Sequence, residues 1–338
     1  MVSGILWAVV AGIMLGLYAL PEKFAKSFEF ENTWGMMFFI NMIIVPFVAC
    51  FLLVNGFTDV LKAIPSDVII KMVIASLAWG IGVMMWGKAI NHIGLSLGFS
   101  IFIGTVILVG SLLPFLVDGT PPSNVFMTIL GGIFVVLLGV VANGKAGLVR
   151  EKDTNKDDKD STIKGSMGVG ISIAVIGGLL ATGFSYANAA GRPIIHEASQ
   201  AAGNPEWVTA VVVMFVIYLS GALFVIPYFI FQLSKKNLWG KFKSNHLLKN
   251  ICLTTIMAML NFAASAGFAY AAFQLGQAGN TVGYAIFNTV CVAVAIISGL
   301  ITGEWLGASP KAKRLLYLGL AAMIGGVIII ALGNGMAA

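Results

Sequence analysis

The chain has 338 residues, 59% of them hydrophobic and only 10% charged, with a mean hydropathy of +0.96. Soluble domains run about 45–50% apolar and about 25% charged, so this chain has too little polar surface to cover itself in water. Cytosolic enzymes, nucleic-acid modules, disordered chains and disulfide scaffolds are therefore excluded, and an integral membrane protein of several spans remains. The formal charge of +6 sits in loops between apolar runs, where basic residues set orientation rather than mark a nucleic-acid partner.

A helix needs about 20 apolar residues to cross the hydrocarbon core. Ten stretches qualify. In chain order they are Ser3–Leu20, Trp34–Val54, Asp67–Ile90, Leu95–Val117 and Asn124–Ala142. After a polar gap come Ser166–Ala190, Trp207–Phe231, Asn250–Gln274, Thr281–Thr302 and Arg314–Leu332. Their unbroken apolar character predicts helices, since barrel strands alternate polar and apolar residues over about 10 positions. The first run starts almost at Met1 without a basic segment before it, which reads as a retained span. Cys50, Cys252 and Cys291 all fall inside apolar runs and read as packing residues.

Ten spans put both termini on one face, so alternate loops share a side. All but Lys62, Lys71 and Arg192 of the 20 lysines and arginines fall on one set of loops or beside it. That set is expected to be cytoplasmic, with both termini outside. The segment 144–165 includes the charged run from Arg150 to Asp160 and reads as a flexible cytoplasmic linker. It separates a first five-helix repeat, 1–143, from a second, 166–338.

The two halves resemble one another. Ala8-Val-Val-Ala-Gly-Ile-Met-Leu15 parallels Ala174-Val-Ile-Gly-Gly-Leu-Leu-Ala181. Gly98-Phe-Ser-Ile-Phe102 with Thr105-Val106 parallels Gly283-Tyr-Ala-Ile-Phe287 with Thr289-Val290. These matches fall on spans one and six, then four and nine. Five spans per half make the repeats inverted in the membrane, an architecture of transporters with a midplane binding site. Gly12-x-x-x-Gly16 and Gly94-x-x-x-Gly98 are expected to bring helix backbones close.

Enzyme signatures are absent from the sequence: there is no His-Glu-x-x-His, Gly-x-Ser-x-Gly or P-loop, and no cysteine pair with metal-ligand spacing. No cofactor or metal is expected, and a membrane-embedded enzyme would need a convergent constellation that the spans do not offer. His92, His196 and His246 are placed in loops or at span ends, with His196-Glu197 read as a loop pair. Every carboxylate also falls in a loop or near a span end, the nearest to the membrane being Glu22, Asp67, Asp118 and Glu304. Asp118 and Glu304 are weak candidates for ion coupling, because an intramembrane acid is the usual proton carrier. Lys88 reads as a snorkelling anchor.

Neutral polar and aromatic groups mark the middle of the spans: Asn41, Trp79, Thr105, Tyr218, Asn261, Asn288 and Thr289. Amides and hydroxyls hydrogen-bond sugar hydroxyls, and an aromatic face stacks on the apolar face of a sugar ring. No buried cluster of Arg or Lys is offered to an anion, so a neutral sugar or polyol fits. Spans four and nine are expected to line the path. Thr105, Asn288 and Thr289 are the leading binding residues, with Asn261, Trp79 and Tyr284 behind them.

Several motifs together resemble the L-rhamnose–proton symporter family of the drug/metabolite transporter superfamily. They are Gly4-Ile-Leu-Trp7, Trp79-Gly-Ile-Gly82, Gly94-Leu-Ser-Leu-Gly98 with Gly104 to Gly110, Asn188-Ala-Ala with Pro193 and His196-Glu-Ala198, and Gly283-Tyr-Ala-Ile-Phe287 with Thr302-Gly-Glu-Trp305. The resemblance implies ten helices in two inverted five-helix repeats in the bacterial inner membrane. It also implies cation-driven import of L-rhamnose or a similar 6-deoxy or neutral sugar. The residues leave the coupling open between proton, sodium and uniport. The partners expected are therefore a sugar, a coupling ion and the lipid bilayer. The alternative from the same superfamily is an exporter of small metabolites or amphipathic cations, for which the 15 methionines speak. A sugar sensor without flux is the remaining rival.

Overall fold

Hydrocarbon offers a backbone N–H or C=O no water to bond, so a spanning chain closes its hydrogen bonds within itself as helix. The computed structural model describes residues 2–93, 101–110, 112, 122–154, 167–276, 279, 282–303 and 305–335, and among them every regular element is helical. In chain order these are α1 (Val2–Leu17), a 3₁₀ turn (Leu20–Phe24), α2 (Phe30–Phe39), a π-helical turn (Ile40–Ile44) and α3 (Val45–Leu53). Then follow α4 (Phe57–Lys62), α5 (Ser66–Ile93), α6 (Ile101–Gly110), α7 (Ser123–Thr154), α8 (Met167–Ala181) and α9 (Gly183–Ala201). The chain continues with α10 (Val208–Lys235), a 3₁₀ turn (Trp239–Lys243), α11 (Leu247–Gln274), α12 (Val282–Ile301) and α13 (Pro310–Gly335). Nine helical stretches among the described residues are long and apolar enough to cross a membrane. The fourth expected span is represented by α6, and the rest of Leu95–Val117 lies mostly outside the described residues.

The helices gather into two compact units, Met1–Ile81 with Gly183–Gln274 and Gly82–Thr182 with Leu275–Ala338. Each unit draws helices from both sides of the charged segment. In the first unit α10 is the central helix. Its apolar window is 78% buried, against 22–44% for the other spans, and it packs on α2, α3, α9 and α11. Along the flank α1 lies against α11, with Gly12 and Gly16 buried in α1 and Ala11 meeting Gly267. Gly183 brings α9 onto the backbone carbonyl of Ala75 in α5, and Gly191 faces the Met72 thioether.

Buried asparagines close the loop ends of this unit by imitating a backbone partner. Asn204 accepts from the Asn55 N–H at 2.7 Å and donates to the Asn55 carbonyl at 2.9 Å. Asn250 does the same for Lys26, at 3.2 and 2.8 Å. Glu29 and Asn32 form a reciprocal cap at the start of α2. Lys241 reaches Glu29 at 2.6 Å, and that hydrogen bond together with the ammonium charge holds the Glu29 carboxyl below its ordinary value.

The second unit is built on a glycine zipper. Gly132 and Gly139 on α7 face Gly326 and Gly319 on α13. A methyl group on Gly139 would lie 2.6 Å from the Gly319 carbonyl, and one on Gly326 would lie 2.7 Å from the Gly132 carbonyl. Seven residues are two helical turns, so each helix offers one smooth stripe to the other. The zipper is not the Gly12 or Gly94 pattern singled out from the sequence, and Gly94 and Gly98 lie outside the described residues.

Two boundaries differ from the sequence reading. The fifth span runs on as helix to Thr154, through the first eleven residues of the segment expected to be a flexible linker. Ala146 is buried with Trp305, Ala308, Ala312 and Leu316, and Arg150 stacks 4.7 Å from the Trp305 ring centroid. Asp153 accepts the Ser309 N–H at 3.1 Å. Tertiary contacts thus hold charged turns helical where composition alone reads as loop. The sixth span breaks at Thr182, whose hydroxyl donates back to the Leu179 carbonyl at 2.6 Å, and α9 then continues through Pro193 to Ala201. His196 and Glu197 are therefore on a helix, not in a loop.

Substituting Gly139 by Leu is expected to lower the unfolding free energy by about 2 kcal/mol or more, because the opposing backbone cannot yield. Gly131→Ala on the same helix, with nothing within 4 Å, is expected to leave it unchanged or slightly raised. Melting of the detergent-solubilised protein reads both.

Candidate functional site

The second span does not run as one regular α-helix. Pro46 has no N–H for the Met42 carbonyl, and its ring crowds that carbonyl. The helix widens into the π turn Ile40–Ile44 immediately upstream, as helices do where the regular ladder is interrupted. The turn carries Asn41, which is 1% exposed.

Asn41 is one member of a polar cluster in the apolar heart of the first unit. Its Nδ2 donates to Asn261 Oδ1 at 2.8 Å. Tyr218 of α10 donates its hydroxyl hydrogen to the same Asn261 oxygen at 2.8 Å, while Ser265 lies 2.6 Å from the Tyr218 oxygen and serves as its donor. Asn261 and Ser265 are four residues apart and share one face of α11. Asn41 Oδ1 is buried with no partner, so the cluster keeps an acceptor to spare. A ligand hydroxyl can donate to it.

Aromatic rings wall the cluster. Trp79 of α5 lies 5.3 Å from the Tyr218 ring and 5.6 Å from Phe184, centroid to centroid. Gly221 leaves room for the indole, since a methyl there would come within 2.9 Å of it. Phe262 meets Tyr218 edge-on at 5.5 Å. The same unit holds further buried polar atoms without a partner, on Asn188, Ser76, Ser199 and Arg192 Nη1. Asn188 of α9 is fully buried with neither side-chain atom bonded, and the Ser76 hydroxyl of α5 is likewise buried without a partner. Buried amides and hydroxyls left without protein partners point to water or a ligand.

The sequence-predicted residues divide between the two units. Trp79 and Asn261 come together through Tyr218 in the first. Thr105, Tyr284, Asn288 and Thr289 belong to the second. There the Thr105 hydroxyl donates to the Ile101 carbonyl at 2.8 Å, and the Asn288 amide to the Tyr284 carbonyl at 2.9 Å, both along their own helices. Thr289 is 2% exposed and its hydroxyl is unpaired. Gly110 makes room for the Tyr284 ring. Asp118 and Glu304 lie outside the described residues.

The sequence model of the L-rhamnose-proton symport protein family matches residues 1–338. The chain belongs to that family. It is 25% identical over 344 residues to an L-rhamnose-proton symporter of Yersinia pestis (strain Pestoides F), covering 98% of each chain. It is 26% identical over 340 residues to one from Cronobacter sakazakii (strain ATCC BAA-894), covering 98% of this chain and 97% of the relative. The family is one of transporters, so the protein is a multi-pass membrane transporter and not an enzyme. The exporter alternative is not favoured by these likenesses.

Sequence reasoning named Asn41 and Tyr218 only as mid-span polar groups, and it missed Ser265, Asn188 and Ser76 as parts of a site. The signal for Ser265 was its spacing of four from Asn261 on one helix. No local pattern marked Ser76.

Tyr218→Phe and Asn41→Ala each remove a donor to Asn261 Oδ1. Each is expected to cost about 1 kcal/mol of stability. The double variant is expected to cost less than the two together, since both act on one acceptor. Strict additivity in a denaturation cycle would show that the two do not share it.

Proposed function

We propose that this protein is a secondary active importer that carries L-rhamnose with protons by alternating access. The family match over residues 1–338 is the observation that carries this reading, and the names of the relatives supply the sugar and the ion. A neutral 6-deoxy sugar offers hydroxyls on one part of its ring and a methyl group with C–H bonds on another. The Asn41–Asn261–Tyr218 cluster supplies donors and acceptors for the first. The neighbouring Trp79 supplies an apolar face for the second. Asn288 and Thr289, in the second unit, are proposed substrate-binding residues in their own right.

The expected organisation enters the same proposal. The protein spans the bacterial inner membrane ten times, with residues 144–165 in the cytoplasm and both termini outside. The halves 1–143 and 166–338 are inverted repeats. Helix pairing supports that symmetry. Spans at equivalent places in the halves pack together, as α7 with α13 and the second span with α10. Span one packs on span eight, as α1 with α11. The exchanged pair, span three on span six, meets at Ala75–Gly183 in the first unit and Gly82–Gly177 in the second.

Uptake of radiolabelled L-rhamnose into proteoliposomes tests the reading under imposed proton and sodium gradients applied separately. A proton gradient is expected to drive accumulation and a sodium gradient is not. Sodium-driven uptake would replace the ion, and no flux in folded protein under either gradient would reject the sugar. Asn261→Ala is expected to raise the KM for rhamnose about tenfold or more, the loss of one or two hydrogen bonds to a buried hydroxyl. Asn288→Ala tests the second unit in the same assay. Wild-type kinetics in both variants would remove the proposed contacts.

A further inference from the structure

The expected carriers of the coupling proton, Asp118 and Glu304, lie outside the described residues, but another carboxylate stands apart. Glu22 is half-buried in the 3₁₀ turn that ends span one. Its Oε1 accepts a hydrogen bond from Trp34 Nε1 at 2.6 Å. The other acids of this unit have different surroundings. Glu29 pairs with Lys241, Glu31 with Lys236, Asp59 with Lys62 and Asp67 with Lys71. Glu206 accepts from Gln274, and Glu197 is exposed. Glu22 has no ion pair among the described residues, and its donor is neutral.

We infer that Glu22 is the proton-binding residue of the transport cycle and that Trp34 positions it. This rests on the proton-symport reading above. In the cycle one proton from water forms an O–H bond at Glu22 Oε2, taking the side chain from −1 to neutral. The same proton returns to water on release. The indole N–H can serve both states, because Oε1 accepts a hydrogen bond whether or not Oε2 carries a proton. A lysine partner would instead oppose protonation by its charge, which is why the absence of one matters.

The geometry also links proton to sugar. Trp34 and Asn41 stand seven residues apart on one continuous helical segment, about 10 Å along its axis. Trp34 is held by Tyr18 at 5.8 Å and by Phe30 at 5.6 Å, and Phe38, one turn on, stacks against Phe229 of α10. The π turn that presents Asn41 begins directly after this aromatic column. Any shift of the segment on protonation reaches both Trp34 and Asn41, and coupling of two bound ligands through one element is reciprocal. The charged groups around Glu22 come from the segments packed there. They are Lys23 and Lys26 on its own stretch, Glu29 and Glu31 at the start of α2, and His246 and Lys249 where α11 begins.

The test uses the full-length protein in proteoliposomes. E22Q is expected to lose accumulation of L-rhamnose under a proton gradient, so that the internal concentration rises no higher than the external. It is expected to retain exchange of labelled against unlabelled rhamnose, which needs no net proton movement. E22D, which keeps a carboxyl, is expected to retain part of the accumulation. W34F is expected to shift the pH of half-maximal uptake while exchange continues. Accumulation by E22Q at the wild-type level overturns the inference and leaves the symport reading standing. Loss of exchange along with accumulation in E22Q, or an unshifted pH profile in W34F, assigns the pair a structural role and also overturns it. Failure of the wild-type protein to accumulate rhamnose overturns both.

Discussion

A polar group that leaves water for hydrocarbon must find its partner inside the protein. That constraint explains the helices, and it makes every polar side chain within them informative. Asn41, Tyr218, Asn261 and Ser265 answer it almost completely among themselves. The acceptor left over on Asn41, and the unpaired side chains of Asn188 and Ser76 in the same unit, are among the exceptions. Each such exception costs about 1–3 kcal/mol if nothing fills it. A transporter can carry that cost at the place where a ligand hydroxyl repeatedly arrives and leaves.

Close approach is the second demand on the fold. With no water to expel between lipid-facing helices, association rests on contact and on small residues. The Gly132–Gly326 and Gly139–Gly319 stripes meet this demand in one unit, and Gly183 and Gly191 meet it in the other. Glycine also clears space for function. Gly221 admits the Trp79 indole beside Tyr218, and Gly110 admits the Tyr284 ring. Large side chains stand next to the polar groups because the opposing helix supplies nothing there but backbone.

The all-helical span pattern was legible in the sequence because hydropathy is a local property summed over about 20 residues. The family was legible because several short motifs occur in one order. Boundaries set by tertiary contact were not. Nothing within 144–154 announces that Trp305 and Ser309 will hold it helical, and nothing near Ala190 announces that the helix will run through Pro193. The site was partly legible. Asn261 and Trp79 stand out as polar or amphipathic groups in apolar runs, but their meeting through Tyr218 depends on three different helices. Glu22 was visible only as an acid near a span end, because its indole partner, twelve residues on, belongs to the next span.

Coupled movement of sugar and proton is the central claim, and it can be read without any imposed gradient. L-rhamnose added to de-energised, lightly buffered proteoliposomes should carry protons inward with it, so the external medium should become transiently more alkaline. A proton ionophore should abolish that signal while sugar entry continues. Rhamnose entry with no alkalinisation, at sugar fluxes well above the detection limit for protons, would contradict the account.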